Sequence, residues 1–112
     1  MAFTRVCRAD EVWEGDLAEF EVDGHTIVLV YPRDGELIAI QGECPHQSFP
    51  LSAGEFDGRR VLICNSHRWE FDVITGRGIN PDDCELARYP VKIEAGEVYV
   101  DVAGIEPRRV GV

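Results

Sequence analysis

The feature that most limits the folds open to this chain is a series of short apolar runs, each about one β-strand long and bounded by turn residues. The runs LAEFEV and HTIVLV flank Asp23 and Gly24, a dipeptide that strongly favours a two-residue hairpin. We predict a second hairpin from Val28–Tyr31 and Leu37–Ile40, turned at residues 33–35. No run has the period of a long helix. The sequence therefore predicts an all-β fold, a small antiparallel β-sandwich or barrel-like domain.

The later part of the chain repeats this pattern. RRVLIC and Trp69–Val73 are predicted strands, and YPVKIE and EVYVDV form a hairpin turned at Ala95 and Gly96. We predict one helical turn at Asp10–Trp13, with Asp10 as its cap, and expect Pro107–Val112 to fray.

Two longer segments interrupt the predicted strands, Gln41–Gly54 and Gly76–Asp83, and both are expected to be loops. Long irregular segments in a compact β domain are usually functional. Both lie close in sequence to pairs of cysteine and histidine, which makes the middle third of the chain the candidate functional region.

The first pair is Cys44 and His46, in ECPHQSF, and the second is Cys64 and His67, in ICNSHRWEF. Each pair follows a predicted strand, so each is expected on a loop that the sheet holds in place. Two thiolates and two imidazoles are the ligands of a Rieske 2Fe-2S cluster, in which two cysteines bind one iron and two histidines the other. The order of residues gives each loop one ligand for each iron, as a two-iron unit between two loops requires.

A structural zinc site is the main alternative, because zinc also accepts two cysteines and two histidines. Zinc modules usually pair ligands of one kind at spacings of two to four residues, whereas Cys-x-His is tight for chelating one tetrahedral ion. The two mixed pairs together favour the 2Fe-2S cluster. Four unrelated buried residues are a further, weaker alternative.

The remaining candidate ligands are interpreted as structural. Cys7 and Cys84 are predicted to be small buried apolar residues, and His25 to be a solvated or hydrogen-bonded side chain that opens a strand. The start of the chain lacks the apolar region of a secretory signal, so the four cysteines are not expected to form disulfides.

Charge and hydropathy narrow the classes of partner. The net charge of −10, from 21 acidic and 11 basic residues, opposes binding to nucleic acid or to an anionic membrane and favours a protein partner with a basic patch. No apolar run approaches the roughly 18 residues of a membrane span. We expect a soluble, cytoplasmic, monomeric protein that is one domain over residues 1–112.

The sequence resembles the Rieske ferredoxin family in these motifs: FTRVCRADEVWEGD, CPHQ, SHRWEFD, TGRGINPDDCELARYPV and VYVDVAGI. It most resembles the ferredoxin components of bacterial toluene and related aromatic or alkene di-iron monooxygenases. The resemblance implies a Rieske fold with a cluster-binding subdomain of two loops at about residues 42–83. It implies one 2Fe-2S cluster, bound by Cys44, His46, Cys64 and His67.

The resemblance also implies a function, that of an electron carrier rather than an enzyme. Such a ferredoxin passes single electrons from an NADH-dependent flavin/iron-sulfur reductase to a di-iron hydroxylase. A ferredoxin of a ring-hydroxylating dioxygenase and a small subunit of the nitrite-reductase type are the alternatives within similar chemistry. A zinc-binding interaction module is the alternative outside it.

Further residues acquire roles through the resemblance alone. Gln47 and Trp69 are implied to shape the docking face near the cluster, with core packing as the alternative for Trp69 and for Phe71. Residues 79–82 match a proline-containing loop that shields the cluster, with a plain turn as the alternative. Respiratory Rieske proteins have a disulfide across the site, and the matching positions here are Phe49 and Ser66, so this bridge is not expected.

Overall fold

A computed structural model describes residues 3–45, 49–64, 68–80, 82 and 84–108. Within these ranges, eleven strands form three antiparallel sheets. The first sheet has the order β1-β11-β10, the central sheet β2-β3-β4-β9, and the third sheet β5-β6-β7-β8. The strands are β1 (Thr4–Arg8), β2 (Asp16–Val22), β3 (His25–Tyr31), β4 (Ile38–Gln41), β5 (Glu55–Phe56), β6 (Val61–Ile63), β7 (Glu70–Asp72), β8 (Gly78–Asn80), β9 (Arg88–Tyr89), β10 (Val91–Glu94) and β11 (Glu97–Val100). The all-β antiparallel prediction is confirmed.

The predicted hairpins are confirmed, because local turn chemistry sets them. Strands β2 and β3 pair from Asp16 opposite Tyr31 to Val22 opposite His25. The two residues between them have positive φ angles, 49° at Asp23 and 83° at Gly24, as a two-residue turn with the twist of the strands requires. The β10–β11 turn has the same form, and β3 pairs with β4 as predicted.

The central sheet is buried on both faces. Residues 27–30 of β3 are all fully buried, and they alternate between two apolar clusters. Ile27 and Leu29 belong to the first core, with Val98 and Val100 of the first sheet. Val28 and Val30 belong to the second core, whose third-sheet members include Leu62 and Phe71. This two-sided burial explains why HTIVLV is a continuous apolar run rather than an alternating one.

The helical turn differs from the prediction. It is a 3₁₀ turn at Ala9–Glu11, one to two residues earlier than expected, and Asp10 lies inside it rather than at its cap. The Glu11 carboxylate accepts the backbone N–H of Arg8 at 2.8 Å, while Asp10 forms an ion pair with the Arg8 side chain. The backbone N–H of Arg8, at the start of the turn, is therefore satisfied by a side chain three residues later in the chain. An Asp at the expected cap position does not reveal this contact.

Two predicted loops also contain regular structure. Within Gly76–Asp83, the strand β8 pairs with β7, so the expectation of a plain loop is wrong for residues 78–80. Within Gln41–Gly54, a 3₁₀ turn at Leu51–Ala53 buries Leu51 completely. Elements of three residues carry too little periodicity to be recognised in a sequence.

The expectation that the tail frays from Pro107 is wrong at Arg108. Its backbone N–H and C=O both bond to the side chain of Gln41, at 2.7 and 3.0 Å. Residues 109–112 lie outside the described part of the chain.

The fold brings the two cysteine-bearing segments to the same apolar core. The turn before β4 contacts the turn before β6, since the Arg33 N–H donates to the Gly58 carbonyl at 2.8 Å. Strands β4 and β6 follow these turns in the chain, and Cys44 and Cys64, which come after the two strands, both belong to the second core. In the described residues, no helix has the length and apolar character that crossing a bilayer demands.

Candidate metal centre

The two segments that carry the predicted cysteines are each closed by a backbone hydrogen bond across six residues. In the first loop, residues 44–49, the N–H of Cys44 donates to the carbonyl of Phe49 at 2.9 Å. In the second loop, residues 64–69, the N–H of Cys64 donates to the carbonyl of Trp69 at 2.7 Å. Donor and acceptor are the first and last residues in both cases. Each loop is thus closed at its base, and each begins with a cysteine whose backbone is fixed.

Both of these cysteines are buried. Cys44 is 1% exposed and Cys64 is 0% exposed, and both belong to the second core, between the central and third sheets. All four cysteines of the chain are described, and none of them is in a disulfide bond. A buried thiolate is costly in apolar surroundings unless it is paired or binds a metal.

The two predicted histidine ligands cannot be compared with this geometry. His46 and His67 lie outside the described residues, as does Gln47. The four-residue ligand set therefore stays a prediction. The donor chemistry fits a Rieske cluster: two thiols start the two closed loops, and the sequence supplies one imidazole within each loop.

Cys7 provides a contrast with the loop cysteines. It is 2% exposed on β1, in the first core. Burial, with a smaller contribution from the Glu11 carboxylate, raises the pKa of its thiol to about 11. The thiol therefore stays protonated at neutral pH and behaves as a small apolar side chain. This agrees with the interpretation from the sequence.

Cys84 and His25 also occupy structural positions. Cys84 packs against the second core but is only half-buried, so the expectation of full burial is not met. His25 opens β3 directly after the hairpin turn and is partly exposed, as predicted.

Aromatic and aliphatic side chains surround the bases of the loops. Phe71 is fully buried, so core packing accounts for it, and the half-buried Trp69 packs against the same core. Phe49 and Ile79 are 46% and 44% exposed. Ile79 lies at the irregularity where β8 pairs with residues 70–71, directly after the second loop. No pattern in the sequence predicts the exposure of Phe49 or Ile79.

The proposed shielding loop is described only in part. Ile79 and Asn80 are exposed residues of β8, and Asp82 is exposed beyond it, whereas Pro81 and Asp83 lie outside the described residues. The shielding role of this segment remains a prediction.

Gln41, a buried polar residue that precedes the first loop, is not predicted from the sequence. Gln41 ends β4 and is 1% exposed, with its side-chain amide bonded to three separate parts of the chain. Its sequence signal is slight: one amide that closes the apolar strand IAIQ.

The chain is similar in sequence to a family of known proteins. The sequence profile of the Rieske [2Fe-2S] domain family matches residues 2–90. The ferredoxin component of the alkene monooxygenase system of Xanthobacter autotrophicus is 40% identical, over 94% of this chain and 83% of that protein. The biphenyl dioxygenase ferredoxin subunit of a Pseudomonas species is 37% identical, over 90% of this chain and 93% of that protein.

Solved structures show the same fold. A chain from the complex of reduced oxygenase and oxidised ferredoxin in carbazole 1,9a-dioxygenase superimposes with a TM-score of 0.78 at 29% identity. The match covers 88% of this chain and 91% of that one.

Proposed function

Because the chain belongs to the Rieske 2Fe-2S domain family, we propose that it is the ferredoxin component of a multicomponent monooxygenase. In this role it accepts single electrons from an NADH-dependent flavin/iron-sulfur reductase. It delivers them to a di-iron hydroxylase that oxidises an aromatic or alkene hydrocarbon. Its relatives are named as ferredoxin components, so the chain is an electron carrier with one Rieske 2Fe-2S cluster and not itself an enzyme.

The observation that carries the proposal is the pair of loops, each closed by one backbone hydrogen bond and each starting with a buried cysteine. We propose Cys44, His46, Cys64 and His67 as the cluster ligands. When bound, the cluster stores one electron, and its histidine ligands raise the potential above that of all-cysteine clusters. Family membership disfavours the zinc alternative.

The residues of the chain have two tasks in this scheme. The second core surrounds Cys44 and Cys64 and excludes water from their side of the site. In the proposed arrangement His46 and His67 lie outermost, where electrons enter and leave. The exposed Phe49 ends the first loop, the exposed Ile79 lies beside the strand that follows the second loop, and both provide apolar contact area for a partner. The net charge of −10 favours a basic partner surface.

Domain organisation, oligomeric state and location form the finer part of the proposal. The central sheet packs against the first sheet through one core and against the third sheet through the other. This arrangement supports a single domain over residues 1–112 with a cluster-binding part at about 42–83. We propose a monomer that works in the cytoplasm, where NADH is available to a reductase.

A dioxygenase ferredoxin is the second candidate function. The 37% identical biphenyl dioxygenase subunit supports it, since its name places it with a ring-hydroxylating oxygenase. The two candidates differ only in the oxygenase that accepts the electrons.

Electron delivery tests the proposal directly. The purified protein is reduced with NADH and a reductase of this class, then mixed in a stopped-flow instrument with a di-iron hydroxylase or with a ring-hydroxylating dioxygenase. Faster reoxidation by the hydroxylase is expected. Preference for the dioxygenase would select the second candidate, and a colourless zinc protein would contradict both. The Cys7→Ala variant is the control, since Cys7 lies in the first core away from the loops.

A further inference from the structure

The side-chain amide of Gln41 makes every hydrogen bond available to it. Its Nε2 donates to the carbonyls of Glu43 at 2.8 Å and Arg108 at 3.0 Å. Its Oε1 accepts from the N–H groups of Ala87 at 2.8 Å and Arg108 at 2.7 Å. Two donors and two acceptor positions are the full capacity of an amide. Because Gln41 is only 1% exposed, the loss of any one of these hydrogen bonds is costly.

One of these bonds acts on the peptide group that precedes the first predicted ligand. The Glu43 carbonyl belongs to the same planar peptide as the Cys44 N–H. The carbonyl end is bonded by Gln41, and the N–H end donates to Phe49 at 2.9 Å. With both ends held, the plane of this peptide is fixed, and with it the position of the Cys44 Cα from which the thiolate projects.

Two other bonds connect the same amide to the tail of the chain. Gln41 pairs with both the N–H and the C=O of Arg108, as a neighbouring strand would. Residue 108 lies beyond the family match, which ends at residue 90. The tail thus reaches the base of the first loop through a single buried side chain.

The other described contacts at this point of the tail are weak. The Arg108 side chain lies 3.5 Å from the Glu85 carboxylate, and both side chains are more than half exposed, so this ion pair contributes little. A cavity of about 170 Å³ lies between Pro107 and residues 41–43, so apolar packing does not fill this space. The backbone of Arg108 therefore depends on the Gln41 amide for its position.

We propose that Gln41 is a positioning residue for the cluster and that the tail at Arg108 is part of the support of the first loop. Without the hydrogen bonds to the backbone of Arg108, one N–H and one acceptor position of the buried amide have no partner. It then reorients toward other partners and no longer fixes the Glu43 carbonyl. The inference rests on the proposed function only in that Cys44 is a ligand of the cluster.

Two substitutions at one position separate the backbone bond from the side chain. Arg108→Ala removes the guanidinium but keeps the N–H that Gln41 accepts. Arg108→Pro removes the guanidinium and this N–H, and keeps only the C=O to which Gln41 donates. In the purified holoprotein we expect Arg108→Ala to match the wild type. We expect Arg108→Pro to lose its cluster to a chelator about tenfold faster, as for a lost stabilisation of about 1.4 kcal/mol. Its electron paramagnetic resonance signal should broaden and its midpoint potential should shift.

A double-mutant comparison tests whether Gln41 transmits the effect. Gln41→Met has a similar volume and no amide, so in this background Arg108→Pro should add little to the rate of cluster loss. Equal behaviour of Arg108→Pro and Arg108→Ala, or full additivity with Gln41→Met, would overturn the inference. If Gln41→Met does not fold, the two Arg108 variants decide alone. None of these measurements requires an oxygenase, so failure of the proposed function would appear separately, as a wild-type protein that delivers no electrons.

Discussion

At the scale of single residues, burial does not separate the proposed ligand cysteines from a core cysteine. Cys7, Cys44 and Cys64 are all at most 2% exposed. The difference lies in the backbone, because Cys44 and Cys64 begin closed loops whereas Cys7 lies within the paired strand β1. A ligand assignment therefore depends on the loops and on their histidines.

Alanine substitutions test this assignment. We expect Ala at any one of Cys44, His46, Cys64 or His67 to abolish the native cluster, because each iron would lose one of its two protein ligands. Cys7→Ala and Cys84→Ala should retain iron and sulfide at wild-type stoichiometry. A quantitative iron and sulfide assay gives the answer. A normal Rieske spectrum in Cys64→Ala, or its loss in Cys84→Ala, would show that the assignment is wrong.

Asp57 lies in the turn between β5 and β6 and makes the stability of that turn dependent on pH. Slight desolvation raises the pKa of the exposed Asp57, but backbone N–H donors at Arg59, Arg60 and Val61 outweigh it and hold the pKa below its ordinary value of 3.8. The stabilisation is therefore present above the ordinary pKa and is lost as the pH falls through the lower folded value.

Asp57→Asn is expected to remove this pH dependence. An amide oxygen still accepts the backbone donors, but without the negative charge, so the turn should be weaker at neutral pH by about 0.5 kcal/mol after allowance for solvent screening. Hydrogen exchange at residues 59–61, compared at pH 6 and pH 3, measures the local opening. The wild type should open more readily at pH 3 and the variant should not. Parallel pH profiles for the two proteins would contradict the argument.

At the scale of elements, predictability follows the range of the interactions. The β2–β3 hairpin follows from Asp23–Gly24 and two adjacent apolar runs, all local in sequence. The strands β5 and β8 have two and three residues, and their form depends on pairing with β6 and β7. The cysteine and histidine spacing predicts the site chemistry, but the bonds of Gln41 to residues 87 and 108 join segments far apart in sequence.

The apo protein tests how the elements depend on the cluster. The loops contain few apolar residues, so from the sequence alone all of residues 42–83 would be expected to lose order without the cluster. The structure narrows this expectation. Leu51, Leu62, Phe71 and Val73 are fully buried in the second core, so burial of apolar surface should keep the third sheet ordered.

We therefore expect hydrogen exchange to increase on cluster removal at residues 44–49 and 64–69, with little change at β6 and β7. The β10–β11 hairpin is the internal control, since it belongs to the first sheet and its buried residues Val98 and Val100 lie in the first core. Loops that stay equally protected in apo and holo protein would show that the cluster does not order them. Collapse of β6 and β7 would show that the second core is too weak alone.

At the scale of the whole molecule, the net charge and the composition of the loops both favour a low reduction potential. Adding an electron to a protein of net charge −10 is electrostatically unfavourable, and net charge and hydrogen bonds to the cluster both set its potential. The family resemblance allows a comparison with the respiratory Rieske proteins. Those proteins have a disulfide across the site and a serine hydroxyl near it. This chain has Phe49 and Ser66 at the disulfide positions and Trp69 at the serine position.

We predict a midpoint potential near the low end of the Rieske range of about −150 to +300 mV. A low value suits a carrier reduced through NADH and oxidised by an oxygen-activating di-iron centre. Protein-film voltammetry at neutral pH measures it, and a value above about +100 mV would contradict both the hydrogen-bond argument and the proposed function. Trp69→Ser and Trp69→Ala leave a similar gap beside the second core, but only serine restores a hydroxyl donor. Trp69→Ser should therefore have the higher potential of the two, by about 60 mV for a hydrogen bond of about 1.4 kcal/mol.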